Sequence, residues 1–211
     1  MVNRFSFVSN VGARWVAALF CFLPVVGLSV CRPKRAIAPA PAQEIPVADG
    51  FDYPVGKTRA VTQKRDGDGW YNAQDFTENQ HLAEDWNGEG GGNTDCGEPV
   101  YAAARGVVVW AENAWGWGNV VIARHRLPEG KEVETQYAHL KEIKVKVGDQ
   151  VERRQLIGTV GDGDGRFLCH LHFEARTPEC RDWGAPGAGY SGDTTGWLDP
   201  SDFIDKHRPP R

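Results

Sequence analysis

Apolar and polar residues alternate over short stretches along most of the chain, with glycine-marked turns between them. Val107 to Trp110 and Val120 to Ala123 are β-branched runs on either side of Trp115-Gly116-Trp117-Gly118-Asn119, the arrangement of a hairpin. Glu134 to His139, Ile143 to Val147, Leu156 to Val160 and Leu168 to Ala175 read as further strands, with Gly148-Asp149 as a turn. Beyond residue 30 no segment of helical period has any length. Only Asp199-Pro200-Ser201-Asp202 can start a short terminal helix, with Asp199 as its cap and Pro200 in its first turn. The expected fold is therefore all-β, with compact antiparallel sheets joined by long loops and a short C-terminal helix at most. Eight tryptophans fit core and hairpin packing, and Trp115 and Trp117, flanked by glycines at a loop tip, have lining a groove as their other reading.

One apolar run breaks this pattern. Arg4 and Arg14 precede Trp15 to Val30, sixteen residues interrupted by Pro24. A spanning helix needs about twenty, so residues 1–30 fit a secretory signal. Leu28-Ser29-Val30-Cys31 resembles the lipobox of bacterial lipoproteins, in which Cys31 would carry the lipid, although Val30 stands where that family has Gly, Ala or Ser. Cleavage after Ala42, or retention of the run as a membrane tether, are the other readings, and each implies export. Residues 31–55, rich in proline and alanine, read as an extended linker, 56–206 as one folded domain and 207–211 as a tail.

With 41% hydrophobic and 25% charged residues in 211, the chain can bury a core and is not a disordered polymer. Its 25 glycines and 13 prolines exclude a coiled coil or helical repeat. A formal charge of −4 gives no footing for nucleic acid, nor any general attraction to an anionic wall polymer, which would have to be gripped locally. Cys21 lies in the leader and Cys31 at its end, leaving Cys96, Cys169 and Cys180. Three thiols in an oxidising compartment imply one disulfide and one leftover, and short separation favours Cys169 with Cys180. No CxxC pair supports a cysteine zinc site. The Asp-Gly-Asp-Gly repeats at Asp66 and Asp162 lack the ligand ladder of a calcium loop and read as turns.

The six histidines carry the candidate chemistry. In Cys169-His170-Leu171-His172-Phe173-Glu174, alternation puts His170, His172 and Glu174 on one face and Cys169, Leu171 and Phe173 on the other. His81 and Asp85 stand four apart in His81-Leu82-Ala83-Glu84-Asp85, ahead of the glycine-rich Asn87 to Asn93, and both are zinc-ligand types; taken alone, that stretch reads as a solvated turn with Glu84 and Asp85 exposed. In Tyr137-Ala138-His139-Leu140, alternation groups Tyr137 with His139. His125, closing a strand, and His207, in the tail, receive no role.

HLAED, YAHL and HLHFE, in that order, resemble the lysostaphin-type, or LytM-type, zinc endopeptidases of bacterial cell walls. GEPVYAAARGVVVWAE, GWGNVVIARH and VKVGDQVERRQLIGTVG also resemble strands of that family, so the likeness covers about residues 78–176. Carried over by position, it makes His81, Asp85 and His172 the ligands of one zinc ion per chain in a loop-lined groove, and His139 and His170 the unliganded catalytic histidines. It assigns Glu84 neither role. Three protein ligands leave a fourth position for water, and with no HExxH glutamate an imidazole is a sensible base. Ala83 stands where the family often has glycine, a harmless change; Leu168-Cys169 stands where it has Gly-Pro, after a short Gly-Asp-Gly-Asp-Gly-Arg-Phe loop, and because these last two line the groove in the family, specificity is what they alter. The resemblance implies an exported enzyme that hydrolyses peptide stems or cross-links of peptidoglycan, of the DD-endopeptidase type, in the periplasm or tethered to the membrane. Its alternative is a non-catalytic zinc-binding regulator of a cell-wall amidase or divisome partner, though such members typically lose ligands and all five residues stand here. A cupin-like barrel would need a glutamate closer to the HxH pair than Glu179 and a second histidine-bearing motif.

Overall fold

Residues 44–57 and 69–209 are described by a computed structural model. The leader, Cys31 and the linker as far as residue 43 lie outside the described residues, as does most of the first Asp-Gly-Asp-Gly. Eleven strands and one helix follow in order: β1 Trp70–Gln74, β2 Glu84–Gly88, β3 Pro99–Tyr101, β4 Gly106–Ala114, β5 Gly118–Arg126, β6 Glu132–Leu140, β7 Glu142–Ile143, β8 Gln150–Val151, β9 Leu156–Thr159, β10 Leu171–Arg176, β11 Trp197–Leu198 and α1 Pro200–Lys206. One sheet runs β1-β2-β10-β6-β5-β4-β8, with β11 beside β10, and a small sheet runs β3-β9-β7. Every strand pair is antiparallel. The fold is the all-β architecture that the alternation implies.

The β-branched runs form the centre of the large sheet. β4 and β5 make the expected hairpin, closed by a Trp117 N–H bond to the Ala114 carbonyl at 3.0 Å. Ile143 to Val147 yields only the two-residue β7. The strand expected from Leu168 begins at Leu171. β1 and β2 were not legible as strands, and β3 lies in GEPVYAAARGVVVWAE, which the family resemblance and not the alternation marked as strand. Glu84-Asp85-Trp86 has no alternation of its own and is extended because β1 and β10 flank it with complementary ladders. At the C-terminus, Asp199 caps α1 through Asp202 N–H at 3.0 Å.

The core lies between one face of the large sheet and the small sheet, with Val108, Val121, Tyr137, Leu171 and Phe173 meeting Val100 and Ile157. Residues 47–55, read as linker, are part of it. Val47 bridges to Arg126, and Phe51, Tyr53 and Val55 are buried. Phe51 packs edge-on to Phe203 of α1 at 4.8 Å and to His125 at 5.3 Å. Arg154 holds the Tyr53 and Gly56 carbonyls at 2.6 and 2.5 Å. The apolar residues 51, 53 and 55 outweigh the neighbouring prolines, because each large side chain gains about 2 kcal/mol on burial. His207 belongs here too rather than to a tail, since its carbonyl accepts from Phe51 N–H at 3.0 Å. His125 is wholly buried between the Arg105 carbonyl and the Thr135 hydroxyl, and burial pushes its pKa down to about 4, so it is a neutral packing residue.

The disulfide joins Cys96 to Cys169, not Cys169 to Cys180. Short separation misleads because β10 intervenes: six extended residues advance the chain about 20 Å, leaving Cys180 buried at the far end as a free thiol. Cys96 instead follows the glycine-rich segment, whose Asn93 side chain accepts from Cys169 N–H at 2.9 Å. The bridge spans 73 residues, and a loop of that length implies about 4 kcal/mol of stabilisation. The Cys96→Ser/Cys169→Ser double variant is expected to melt about 10 °C lower. A thermal melt within about 2 °C of wild type would show that the bridge constrains little.

Candidate active site

The register of β10 against its neighbours assembles the site. His172 lies directly opposite Asp85 of β2 on one side and Ala138 of β6 on the other. Cross-strand partners project from the same face, so Asp85 and His172 both leave the sheet on the side away from the core. His81 precedes Asp85 by four residues and is fixed by a bridge to Tyr190, whose ring lies 4.9 Å from its own. The result is a tight triangle: His81 Nε2 to His172 Nδ1 is 3.1 Å, His172 Nδ1 to Asp85 Oδ1 is 3.1 Å, and His81 Nε2 to Asp85 Oδ1 is 3.4 Å. These three residues could hold a metal ion.

Glu174, two residues on, supports His172 from behind at 3.1 Å to Nε2. That contact places the imidazole N–H on Nε2 and turns the Nδ1 lone pair toward the triangle. Glu174 is fully buried and receives further hydrogen bonds from Gln136 and Trp197 at 3.0 and 3.2 Å. Arg176 sits beside it and bonds Glu134 at 3.2 Å, and Glu134 in turn takes Arg124 at 2.7 Å. Burial alone would lower the His172 pKa, but the Asp85 and Glu174 carboxylates raise it to about 9. Burial would raise Asp85, yet the surrounding histidines hold it down near 2. Three lone-pair donors crowded this closely need a cation between them, a proton or a metal.

His139 reaches the same side by a different route. β6 carries one residue more than β5 between Tyr137 and Leu140, a bulge, and His139 adopts a left-handed backbone with φ of 63°. Tyr137 and His139 therefore do not share a face, contrary to simple alternation. Tyr137 enters the core and accepts from Ala103 N–H, while His139 turns outward against Trp117. Its Nδ1 lies 2.9 Å from the Trp117 carbonyl, and His170 Nδ1 lies 2.8 Å from the Leu168 carbonyl. Each contact requires Nδ1–H, which leaves Nε2 of both rings as an acceptor. The two rings are 4.8 Å apart, and His170 Nε2 is 3.6 Å from Asp85. Burial, then the neighbouring histidines, pushes the His139 pKa down to about 3, so this ring is neutral at working pH.

All five residues thus converge: Asp85, His139, His170 and His172 line one cavity of about 530 Å³, with His81 buried behind it. Glu84 does not join them. It points to the opposite face, is 1% exposed, and bonds Trp86 and Ser201, so it is neither a surface carboxylate nor a neighbour of the histidines. The groove reading of the hairpin tip holds for both tryptophans. Trp117 stacks on His139 and bonds the Gly187 carbonyl at 3.1 Å, and Trp115, 91% exposed, stands at the rim. Sequence reasoning missed Tyr190 and Gln74, which join across the cavity at 3.0 Å; the one available signal was an aromatic residue among glycines in Gly187 to Gly192.

The sequence model described as peptidase family M23 matches residues 91–182. The lipoprotein NlpD of Yersinia enterocolitica is 36% identical over 81 residues, covering 38% of this chain and 78% of that one. The peptidoglycan DD-endopeptidase ShyA of Vibrio cholerae is 41% identical over 78 residues, covering 37% of this chain and 17% of its own length. The chain thus spans about a sixth of that endopeptidase. Among solved structures, lysostaphin from Staphylococcus simulans aligns at 25% identity and a TM-score of 0.45, covering 64% of this chain and 48% of that one.

Proposed function

Because the chain belongs to peptidase family M23, we propose that it is an exported zinc metalloendopeptidase hydrolysing peptide stems or cross-links of bacterial peptidoglycan. The observation that carries this reading is the triangle of His81, Asp85 and His172 with two further histidines turned toward the same cavity. Zinc suits that donor set. Tetrahedral ligands at about 2.0–2.1 Å stand about 3.3 Å from one another, against edges of 3.1, 3.1 and 3.4 Å here. Two imidazoles and one carboxylate, with a position left open, are the complement of a catalytic rather than a structural zinc. His81 Nε2, Asp85 Oδ1 and His172 Nδ1 would hold it. When bound, the ion lowers the pKa of water to near neutrality and polarises the scissile carbonyl.

The remaining work falls to the chain. His139 and His170 present acceptor Nε2 atoms and jointly take the proton shed by the attacking water, then stabilise the oxyanion and return the proton to the leaving amine. Glu174 holds the orientation of His172, and Trp117 holds that of His139. Trp115, Phe167 and Tyr190 give the groove exposed aromatic walls against which an extended peptide can lie. Local grip of this kind suits a chain with net charge of −4. Export would use residues 1–30, with a membrane tether through lipid at Cys31 or through the retained leader. Among the described residues, no helix is long and apolar enough to cross a membrane.

Zinc-loaded protein incubated with purified cross-linked peptidoglycan is expected to release new peptide-cleaved fragments by mass spectrometry, and to stop doing so after chelation. Intact walls from several bacterial sources, with stoichiometric zinc bound, would replace this reading with that of a non-catalytic regulator.

A further inference from the structure

Away from the histidines, the start of β2 meets the first turn of α1 over a second cluster made only of oxygen donors. Asp75, Glu84 and Asp199 each bring a carboxylate oxygen within 4.8 Å of the others. With Asn72, Ser201, Asp202 and Asp205 they line a cavity of about 270 Å³ that contains no basic side chain. Internal hydrogen bonds explain part of the arrangement. Ser201 Oγ donates to Glu84 at 2.8 Å, Trp86 Nε1 donates to Glu84 at 3.1 Å, and Asp202 N–H donates to Asp199 at 3.0 Å. They do not explain Asn72.

The Asn72 side chain is 7% exposed. Its Nδ2 donates to Asp75 Oδ1 at 2.9 Å, which fixes the orientation of the amide, because an ionised carboxylate only accepts. The other end, Oδ1, is buried with no hydrogen-bond partner. A buried carbonyl oxygen without a donor is costly, and here it accompanies three crowded carboxylates. A hard cation is the partner that three such carboxylates and a neighbouring carbonyl oxygen call for.

We propose that Asn72, Asp75, Glu84 and Asp199 form a calcium site that fastens the terminal helix to β2, the strand carrying Asp85. The donors are of the class calcium takes at about 2.3–2.6 Å, which lets opposite ligands stand almost 5 Å apart. Magnesium demands near-octahedral geometry at about 2.0–2.1 Å, dehydrates reluctantly and seldom takes a site built of protein ligands alone. Imidazole and thiolate, which softer ions select, do not line this cavity.

The test uses full-length, zinc-loaded protein freed of other divalent ions and melted with about 5 mM calcium, the same magnesium, or sodium chloride of equal ionic strength. Calcium affinity in the range of extracellular modules raises the midpoint by about 3–8 °C. Asp75→Asn/Asp199→Asn removes two charges while asparagine still caps α1, and it is expected to lose the calcium shift. Terbium supplies an independent readout, since the Trp86 indole touches Glu84: wild type should show tryptophan-sensitised emission that calcium displaces. No calcium-displaceable emission from wild type overturns the proposal, whatever the variants do. So does an equal shift with magnesium, or an undiminished calcium shift in the double variant.

Discussion

Asp85→Asn protein is expected to bind zinc about 10²–10³-fold more weakly than wild type. The apparent affinity of a protein zinc site, about 10–16 kcal/mol over its full ligand set, amounts to about 3–4 kcal/mol per ligand. Asparagine keeps the volume and polarity of a side chain that lies 14% exposed opposite His172, so β2 and β10 should pair as before. What disappears is the anionic oxygen and its pull on the imidazoles. Competition with a chromogenic chelator measures the loss directly, and a melt in excess chelator shows whether the metal-free fold has changed. Wild-type zinc affinity in this variant would remove Asp85 from the ligand set.

His139→Ala should behave oppositely, retaining stoichiometric zinc while peptidoglycan cleavage falls about 10²–10⁴-fold, the usual contribution of a positioned general base. The ring lies outside the triangle, 5.5 Å from that of His172, so the ligands do not depend on it. The backbone is the complication, since alanine tolerates a left-handed residue poorly and the strain is of order 1 kcal/mol. His139→Asn avoids this, because asparagine visits that region readily. Both variants should lose activity alike, with zinc content unchanged. Normal turnover in either would take His139 out of the chemistry.

The parts of this architecture visible in the sequence were those where local alternation and tertiary environment agree. β5, β6 and β10 are β-branched or strictly alternating, and His172 and Glu174 took the face that alternation assigns them. β2 was hidden because Glu84, one of its core-side residues, is charged, and Trp86, the other, stands between Asp85 and Asn87-Gly88. Glu84 is buried because Trp86 and Ser201 bond its carboxylate, a long-range fact no window of sequence contains. Phe51, Tyr53 and Val55 sat in a stretch whose proline content suggested an open chain, and their partners, Phe203 and Arg154, lie about a hundred residues or more away. The expected pairing of Cys169 with Cys180 failed for the same reason: nearness along the sequence stood in for contact in space, and the true partner, Cys96, lies 73 residues away. The five candidate site residues were found through a resemblance spanning three separated segments, since each segment alone has an ordinary structural explanation.

The single extra residue in β6 gives the sheet something like a reading frame. Up to Tyr137, odd positions of the strand face the core; beyond the bulge the phase is reset, and a histidine two residues past an inward tyrosine stands on the open side. Identity at position 139 is therefore only half of what places the imidazole, and the count of residues between Tyr137 and Leu140 is the other half. Losing one residue there would remove the bulge, and with it the left-handed residue that sets His139 against Trp117, while Tyr137 and Leu140 kept their places in the core. Among relatives of this chain, the spacing around the YAHL segment should accordingly tolerate substitution far better than it tolerates a change of length.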